Sequence, residues 1–143
     1  MDTNNNKMIL VKMLVNESVD IVWQKWNSPD AITKWYNASD DWHTPKAEND
    51  LKVGGKFNYR MEAKDGSFGF DYWGTYDSII IKEKLEITLG DNRKLIITFT
   101  EIDNKTEITE TFEAETSNPI EMQQAGWQAI LNNFKKYVEN NLL

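Results

Sequence analysis

Glu110 is the residue whose type and position in this sequence most suggest chemistry. Side chains alternate between the two faces of a strand, so Glu110 shares a face with Ile108 and Phe112, which should point inward. A buried carboxylate without a partner is destabilising or becomes protonated. Two interpretations remain open. Glu110 enters a cavity as a hydrogen-bond donor or a general base, or the strand twists and Glu110 reaches solvent or an arginine.

The single histidine, His43, limits the other kinds of catalytic site. A Ser-His-Asp triad would have to use it, and the sequence has no Gly-x-Ser-x-Gly motif to present a nucleophile. His43 follows Asp40, Asp41 and Trp42 and precedes Glu48, but one imidazole with scattered carboxylates lacks a recognised metal-ligand spacing. A hydrogen-bonded loop is the favoured interpretation, and neither a metal nor a cofactor is predicted.

Length, composition and charge restrict the class of protein. The 143 residues suit one domain over 1–143, with the polar residues 1–6 as a flexible tail. The absence of cysteine excludes disulfides and fits a reducing compartment. The first residues lack the apolar core and cleavage site of a signal peptide, so a cytoplasmic protein is predicted. A net charge of −7 argues against nucleic acid as a partner. No apolar run reaches the roughly 18–20 residues that would insert into a membrane.

The end of the chain predicts a long helix. Asn118 can cap the first turn, Pro119 suits the first helical position, and Glu121 completes a capping box. An apolar stripe then recurs at helical spacing, formed by Trp127, Leu131, Phe134 and Val138. A helix of this length spans roughly 33 Å and needs a broad surface to cover.

Alternation and turn residues predict the elements before this helix. The expected order is a strand over 7–15, two short helices over 18–27 and 28–35, an irregular loop or lid over 38–49, and five strands starting near 51, 68, 85, 94 and 106. The strand over 51–61 should bend at Gly54-Gly55. Short turns between consecutive strands make them antiparallel neighbours. The predicted class is α+β, with a curved antiparallel sheet of about six strands wrapped around the long terminal helix and a cavity between them.

Five motifs in this order resemble those of a known superfamily. They are Val22-Trp23, Trp35, Val53-Gly54-Gly55-Lys56-Phe57, Gly74-Thr75-Tyr76 and Gly126-Trp127-Gln-Ala-Ile-Leu131. The chain resembles the START-like (SRPBCC) helix-grip superfamily and, within it, the branch homologous to the activator of heat-shock protein 90 ATPase. The resemblance implies a hydrophobic cavity between helix and sheet, with lipids, polyketides or flavonoid-like aromatics as ligands.

We therefore expect this chain to bind a small apolar or aromatic molecule. Alternatives are a protein-interaction module that contacts a chaperone, and a cyclase, dehydratase or hydrolase with Glu110 as the base. The tryptophans Trp23, Trp26 and Trp127 are expected to pack in the core or, alternatively, to line the cavity. The predicted cavity residues are Trp23, Trp35, Phe57, Tyr59, Met61, Phe68, Phe70, Tyr72, Tyr76, Phe99, Ile108, Glu110, Phe112, Trp127, Ile130, Leu131 and Phe134.

Overall fold

A computed structural model describes residues 7–141, and the predicted tail at 1–6 lies outside them. The helices and strands follow in the order β1 (Met8–Val15), α1 (Val19–Asn27), α2 (Pro29–Trp35), β2 (Trp42–Asn49), β3 (Lys56–Ala63), β4 (Gly69–Ile80), β5 (Lys84–Leu89), β6 (Lys94–Ile102), β7 (Lys105–Glu113) and α3 (Ile120–Asn141). Within this range no helix is both long and apolar enough to cross a membrane.

Serine caps start the two short helices, as the sequence predicts. The Ser18 hydroxyl accepts a hydrogen bond from the Ile21 amide, and the Ser28 hydroxyl accepts one from the Ala31 amide. Each cap satisfies one of the amides that the first turn of a helix leaves free. The chain can therefore end α1 and begin α2 at the same residue, Ser28.

The seven strands form one antiparallel sheet in the order β1-β7-β6-β5-β4-β3-β2. It curls into a half-barrel, and α3 packs across the concave side. Leu131, Phe134 and Val138 of α3 are fully buried there. This arrangement confirms the predicted α+β fold, with its two short helices after the first strand.

Polar side chains of α3 cover the free edge of β1. Gln124 and Gln128 donate from Nε2 to the carbonyl oxygens of Leu10 and Lys12, and Lys135 donates from Nζ to that of Leu14. An uncovered edge strand offers its free backbone groups to other chains. The long helix therefore protects the edge of the sheet and also closes the core.

The segment predicted as a loop or lid over 38–49 is largely a strand, and this prediction was wrong. Its residues 42–49 form β2, which pairs with β3 through a register shift between His43 and Lys46. β2 lies at an edge of the sheet, and burial does not alternate regularly along it. The pairing along the sheet, rather than its own pattern, makes it a strand.

The starts of β3 and α3 differ from the predicted ones. Leu51 and Val53, expected in a strand, lie before β3 in a turn that Gly54 enters with a φ of +84°. The long helix begins at Ile120 rather than Pro119, and the predicted cap Asn118 instead donates from Nδ2 to Glu115 Oε2 over 2.6 Å. These local contacts replace the expected capping box.

Candidate functional site

Among residues 7–141, two spaces next to the sheet and its helices differ greatly in size. The larger, which we call the open groove, has a volume of about 340 Å³. It is lined by Ala38, Trp42, Met61, Phe70, Glu115, Asn118, Met122, Gln123, Gly126, Trp127 and Ile130. The smaller, the inner cavity, has a volume of about 20 Å³ and is lined by Trp26, Tyr36, Phe57, Tyr59, Tyr72, Tyr76, Ile87, Leu95, Ile97 and Glu110.

Volume decides what each space can hold. Pockets that bind small molecules commonly measure about 300–1,000 Å³, and the open groove falls in this range. A water molecule needs roughly 10–15 Å³. The inner cavity therefore has room for about one water, and no lipid or polyketide body fits beside Glu110 in this conformation.

The ring of Trp127 forms the floor of the open groove. It stacks on Phe112 of β7 with ring centroids 3.8 Å apart and an angle of 16° between the planes. Its edge meets Tyr72 with centroids 6.3 Å apart. Because Tyr72 lines the inner cavity and Trp127 lines the groove, this ring contact separates the two spaces.

The polar groups in the groove wall are satisfied by one another. Gln123, which is buried, donates from Nε2 to the carbonyl oxygens of Glu115 and Asn118 and accepts from the Glu115 amide. The Glu115 carboxylate accepts from the amides of Ser117 and Asn118 and from Asn118 Nδ2. Hydrogen bonds from Asn118 lower the pKa of this carboxyl, so it stays ionised. The groove therefore offers a ligand mainly apolar surface.

Gly126 gives the groove part of its space. A Cβ added at this position would meet no atom within 4 Å. Glycine in the interior of a helix is destabilising relative to alanine by roughly 0.5–1 kcal/mol. The helix thus keeps a residue that weakens it at the point where a side chain would enter the groove.

Glu110 is buried at 3% exposure in the wall of the inner cavity. Among the described residues, none of the hydrogen bonds and ion pairs involves its carboxyl group. Burial raises its pKa to about 8, from an ordinary value of 4.5. The group is therefore protonated at neutral pH, and it can donate a hydrogen bond or, after losing its proton, accept one.

Tyrosines surround this acid. Burial raises the pKa of the Tyr36 and Tyr59 hydroxyls well above their ordinary value, and the charge of Glu110 adds to both effects. Burial also raises the pKa of Tyr72, again with a contribution from Glu110. Tyr76 is held separately, since its hydroxyl donates to Asn49 Oδ1 over 2.6 Å. These phenols remain neutral donors across the physiological range.

The structure distributes the seventeen predicted cavity residues over four surroundings. The inner cavity receives Phe57, Tyr59, Tyr72, Tyr76 and Glu110, and the open groove receives Met61, Phe70, Trp127 and Ile130. Seven pack in the core outside both linings: Trp23, Trp35, Phe99, Ile108, Phe112, Leu131 and Phe134. Phe68 is 61% exposed beside Trp42.

Ring contacts explain why several of these aromatics fill the core instead of lining a space. Trp23 meets Phe99 with centroids 5.3 Å apart, and Trp35 meets Phe134 with centroids 4.7 Å apart. Offset and edge-to-face ring pairs of this kind stabilise a packed interior. They fill part of the space between helices and sheet in which the sequence predicted a cavity.

Sequence reasoning missed several lining residues. Tyr36 reaches the inner cavity from the end of α2. Trp26, for which cavity lining was the alternative to core packing, lines it as well. Trp42 lines the groove from β2, which has no clear apolar pattern, and Met122 lines it from the first turn of α3, before the predicted stripe begins. The one usable signal was Gly126, because a glycine inside a long helix pattern often has a packing or functional reason.

The acidic cluster around His43 does not form a metal site in the part of the chain that the structure describes. There, no group of three or more His, Cys, Asp or Glu is placed to hold a metal ion. His43 instead sits in β2, paired with Glu62 of β3. A strand pairing replaces the hydrogen-bonded loop that the sequence suggested.

Comparison with known proteins gives a consistent result. Residues 16–139 match the family model described as Activator of Hsp90 ATPase homolog 1-like protein. A search of curated proteins gives no match.

Solved structures agree with the family match. An AHSA1-like protein from Aeromonas hydrophila is 43% identical, with a TM-score of 0.88 and 94% of each chain covered. A protein from Cytophaga hutchinsonii is 51% identical, with a TM-score of 0.81 and coverage of 94% of this chain and 93% of the other. A protein from Nitrosomonas europaea, 16% identical with a TM-score of 0.80 over 97% and 98% of the two chains, shares the fold.

Proposed function

This chain belongs to the family of Activator of Hsp90 ATPase homolog 1-like proteins, and we propose that it binds a small apolar or aromatic molecule in the open groove. The observation that carries the proposal is the groove itself, with its volume of about 340 Å³ and its aromatic and methionine walls. Lipids, polyketides and flavonoid-like aromatics are the ligand classes proposed. Apolar burial supplies most of the affinity at such a site.

The groove is preferred to the inner cavity for the body of the ligand. The sequence predicted one internal cavity, but the space beside Glu110 holds about one water. Few polar groups of the groove wall need a hydrogen bond from a ligand, since Gln123 and Glu115 are already hydrogen-bonded within the wall. An apolar ligand therefore covers the groove without leaving polar groups unpaired.

A filled groove tests this proposal. Gly126→Leu places a side chain into open space on α3, and leucine favours a helix more than glycine does. Asn132→Leu is the matched control, since it adds the same side chain at an exposed position of the same helix. Circular dichroism and thermal melting would first establish that both variants fold.

Naphthalene, flavone and fatty-acid probes would then be screened by thermal shift and NMR. At 100 times its dissociation constant, a ligand stabilises the native state by about 2.7 kcal/mol. We expect this gain in the natural protein and in Asn132→Leu, and its loss in Gly126→Leu. Equal stabilisation of all three proteins, or no binding of any probe class, would contradict the proposal.

A second candidate function is docking to a chaperone, and an exposed apolar rim favours it. Phe68, Phe70 and Met122 are 61%, 41% and 60% exposed next to the groove. Exposed apolar patches commonly mark interaction sites. Pulldown with the middle domain of heat-shock protein 90 would test it. Retention by the natural protein and loss on Phe68→Ser would support docking through this rim.

A further inference from the structure

The inner cavity has the features of a receptor for a small cation, and we propose that it takes the ammonium group of a primary amine whose apolar body lies in the open groove. This inference rests on the proposed function, because the body of the ligand occupies the groove. It adds the chemical class of the ligand, an apolar or aromatic primary amine, and the residues that recognise its polar end.

The acid in the wall of the inner cavity lacks a bonded partner in the described part of the chain. Glu110 is 3% exposed and lines the cavity, and among residues 7–141 no cation or hydrogen-bond donor is bonded to it. A buried carboxylate is stabilised chiefly by an opposite charge or by donors. An ammonium group supplies both a positive charge and three N–H donors.

Aromatic rings form most of the wall of the inner cavity. Six of the ten lining residues are aromatic: Trp26, Tyr36, Phe57, Tyr59, Tyr72 and Tyr76. Their rings pack against one another, with centroids 4.9 Å apart for Tyr36 and Tyr59 and 4.8 Å apart for Phe57 and Tyr59. Aromatic faces attract cations, and cages of such rings recognise ammonium groups. A carboxylate within this wall completes a site for a cation.

The volume of the inner cavity and its position relative to the groove limit which amines can bind. A cavity of about 20 Å³ admits a group the size of water, which suits a primary ammonium and excludes a trimethylated one. Phe112, on which the groove residue Trp127 stacks, lies two residues beyond Glu110 on the same face of β7. Two residues of a strand span roughly 7 Å. Glu110 therefore lies close behind the ring of Trp127, and an ammonium group carried by a ligand in the groove reaches it once the contact between Tyr72 and Trp127 opens.

Binding of this kind is coupled to a proton. Burial raises the pKa of Glu110 to about 8, so the free site is largely protonated at pH 7, and an arriving ammonium favours the ionised form. The phenols that face it, Tyr36, Tyr59, Tyr72 and Tyr76, have raised pKa values and stay neutral. The other lining residues, Trp26 on α1, Phe57 on β3, Ile87 on β5, and Leu95 and Ile97 on β6, carry no titratable group. Glu110 is thus the source of the released proton.

The test compares 2-(2-naphthyl)ethylamine with 2-(2-naphthyl)ethanol, which has nearly the same shape and no charge. Calorimetric titration of the natural protein at pH 7, in two buffers of different ionisation enthalpy, would measure affinity and protons released. We expect the amine to release close to one proton and the alcohol none. Affinity for the amine should rise by up to about tenfold per pH unit between pH 6 and pH 8.

The Glu110→Gln variant removes the charge and keeps the size of the side chain. It should release no proton and bind the amine no more tightly than the alcohol does. If that variant fails to fold, the pH dependence of the natural protein still decides. Equal, pH-independent binding of both probes without proton release would overturn the amine site and leave the groove proposal standing. Binding of neither probe would count against both.

Discussion

The open groove and the inner cavity lie in the same interface between helices and sheet, yet they treat their polar groups in opposite ways. In the groove, Gln123 and Glu115 are fully engaged within the wall. In the inner cavity, Glu110 has no bonded partner among the described residues and a pKa raised by burial to about 8. The groove thus presents mainly apolar surface, whereas the inner cavity presents a buried ionisable group.

The space with the larger volume is therefore not the one with the unpaired polar group. The groove has a volume of about 340 Å³, and its polar groups are hydrogen-bonded to one another. The inner cavity has a volume of about 20 Å³ and contains an acid without a bonded partner among residues 7–141. A ligand that satisfies both must be mostly apolar with one small polar end. Substitutions in the two regions should therefore differ in their effects on packing and on charge.

The largest expected effect concerns packing on the two sides of α3. Leu131 is fully buried in the core, and its neighbour Ile130 lines the groove and is partly exposed. Leu131→Ala should cost about 2–5 kcal/mol of unfolding free energy, because it leaves a void in a closed core. Ile130→Ala should cost roughly 1 kcal/mol, because the groove side is already open. Urea denaturation measures the unfolding free energies of both variants. Equal losses of stability would show that the core side and the groove side of α3 are packed alike.

A second prediction concerns the charge in the inner cavity. The pKa of Glu110 is about 8 in the folded protein against an ordinary 4.5, so between these values the unfolded state is ionised and the folded state is protonated. The stabilising contribution of this group is complete below about pH 4.5 and is lost as pH rises towards 8, by about 1.4 kcal/mol per pH unit. Between pH 5 and pH 7 that loss amounts to roughly 2.7 kcal/mol.

Glu110→Gln should abolish this part of the pH dependence. Its stability relative to the natural protein should rise steadily from pH 5 to pH 7 in urea titrations at each pH. The subtraction also removes contributions from carboxylates with lowered pKa values, such as Glu115 and Glu139, since both proteins contain them. A difference that stays constant with pH would show that Glu110 is not buried as an acid.

The smallest expected effects come from two glycines. An added Cβ at Gly126 meets open groove, so Gly126→Ala should stabilise the protein by about 0.5–1 kcal/mol. An added Cβ at Gly74 would lie 2.9 Å from side-chain atoms of both Ile87 and Phe57, two residues of the inner cavity wall. Gly74→Ala should therefore destabilise by about 1–3 kcal/mol. Thermal melting would show whether Gly126→Ala is stabilised and Gly74→Ala destabilised. A stabilised Gly74→Ala would mean that the wall of the inner cavity is loosely packed.

The sequence alone determined the fold and the direction of its main faces. Periodicity of two and of 3.6 residues depends only on local backbone geometry, so the strands β4 to β7 and the stripe of Leu131, Phe134 and Val138 could be predicted. The same period of two placed Glu110 on the inward face, and Ser18 and Ser28 marked the helix starts. These features arise from contacts close along the chain.

Tertiary packing determined which space stays open and which strand forms the second edge of the sheet. β2 is a strand because β3 pairs with it, and its own sequence carries little alternation. The expected single cavity became two spaces, since rings distant in sequence, such as Trp35 and Phe134 or Phe112 and Trp127, pack against each other. The volume of a cavity is the small difference between the space enclosed by the fold and the summed volumes of the side chains that fill it. A pattern along the chain specifies which face of an element is buried, but it does not specify this difference.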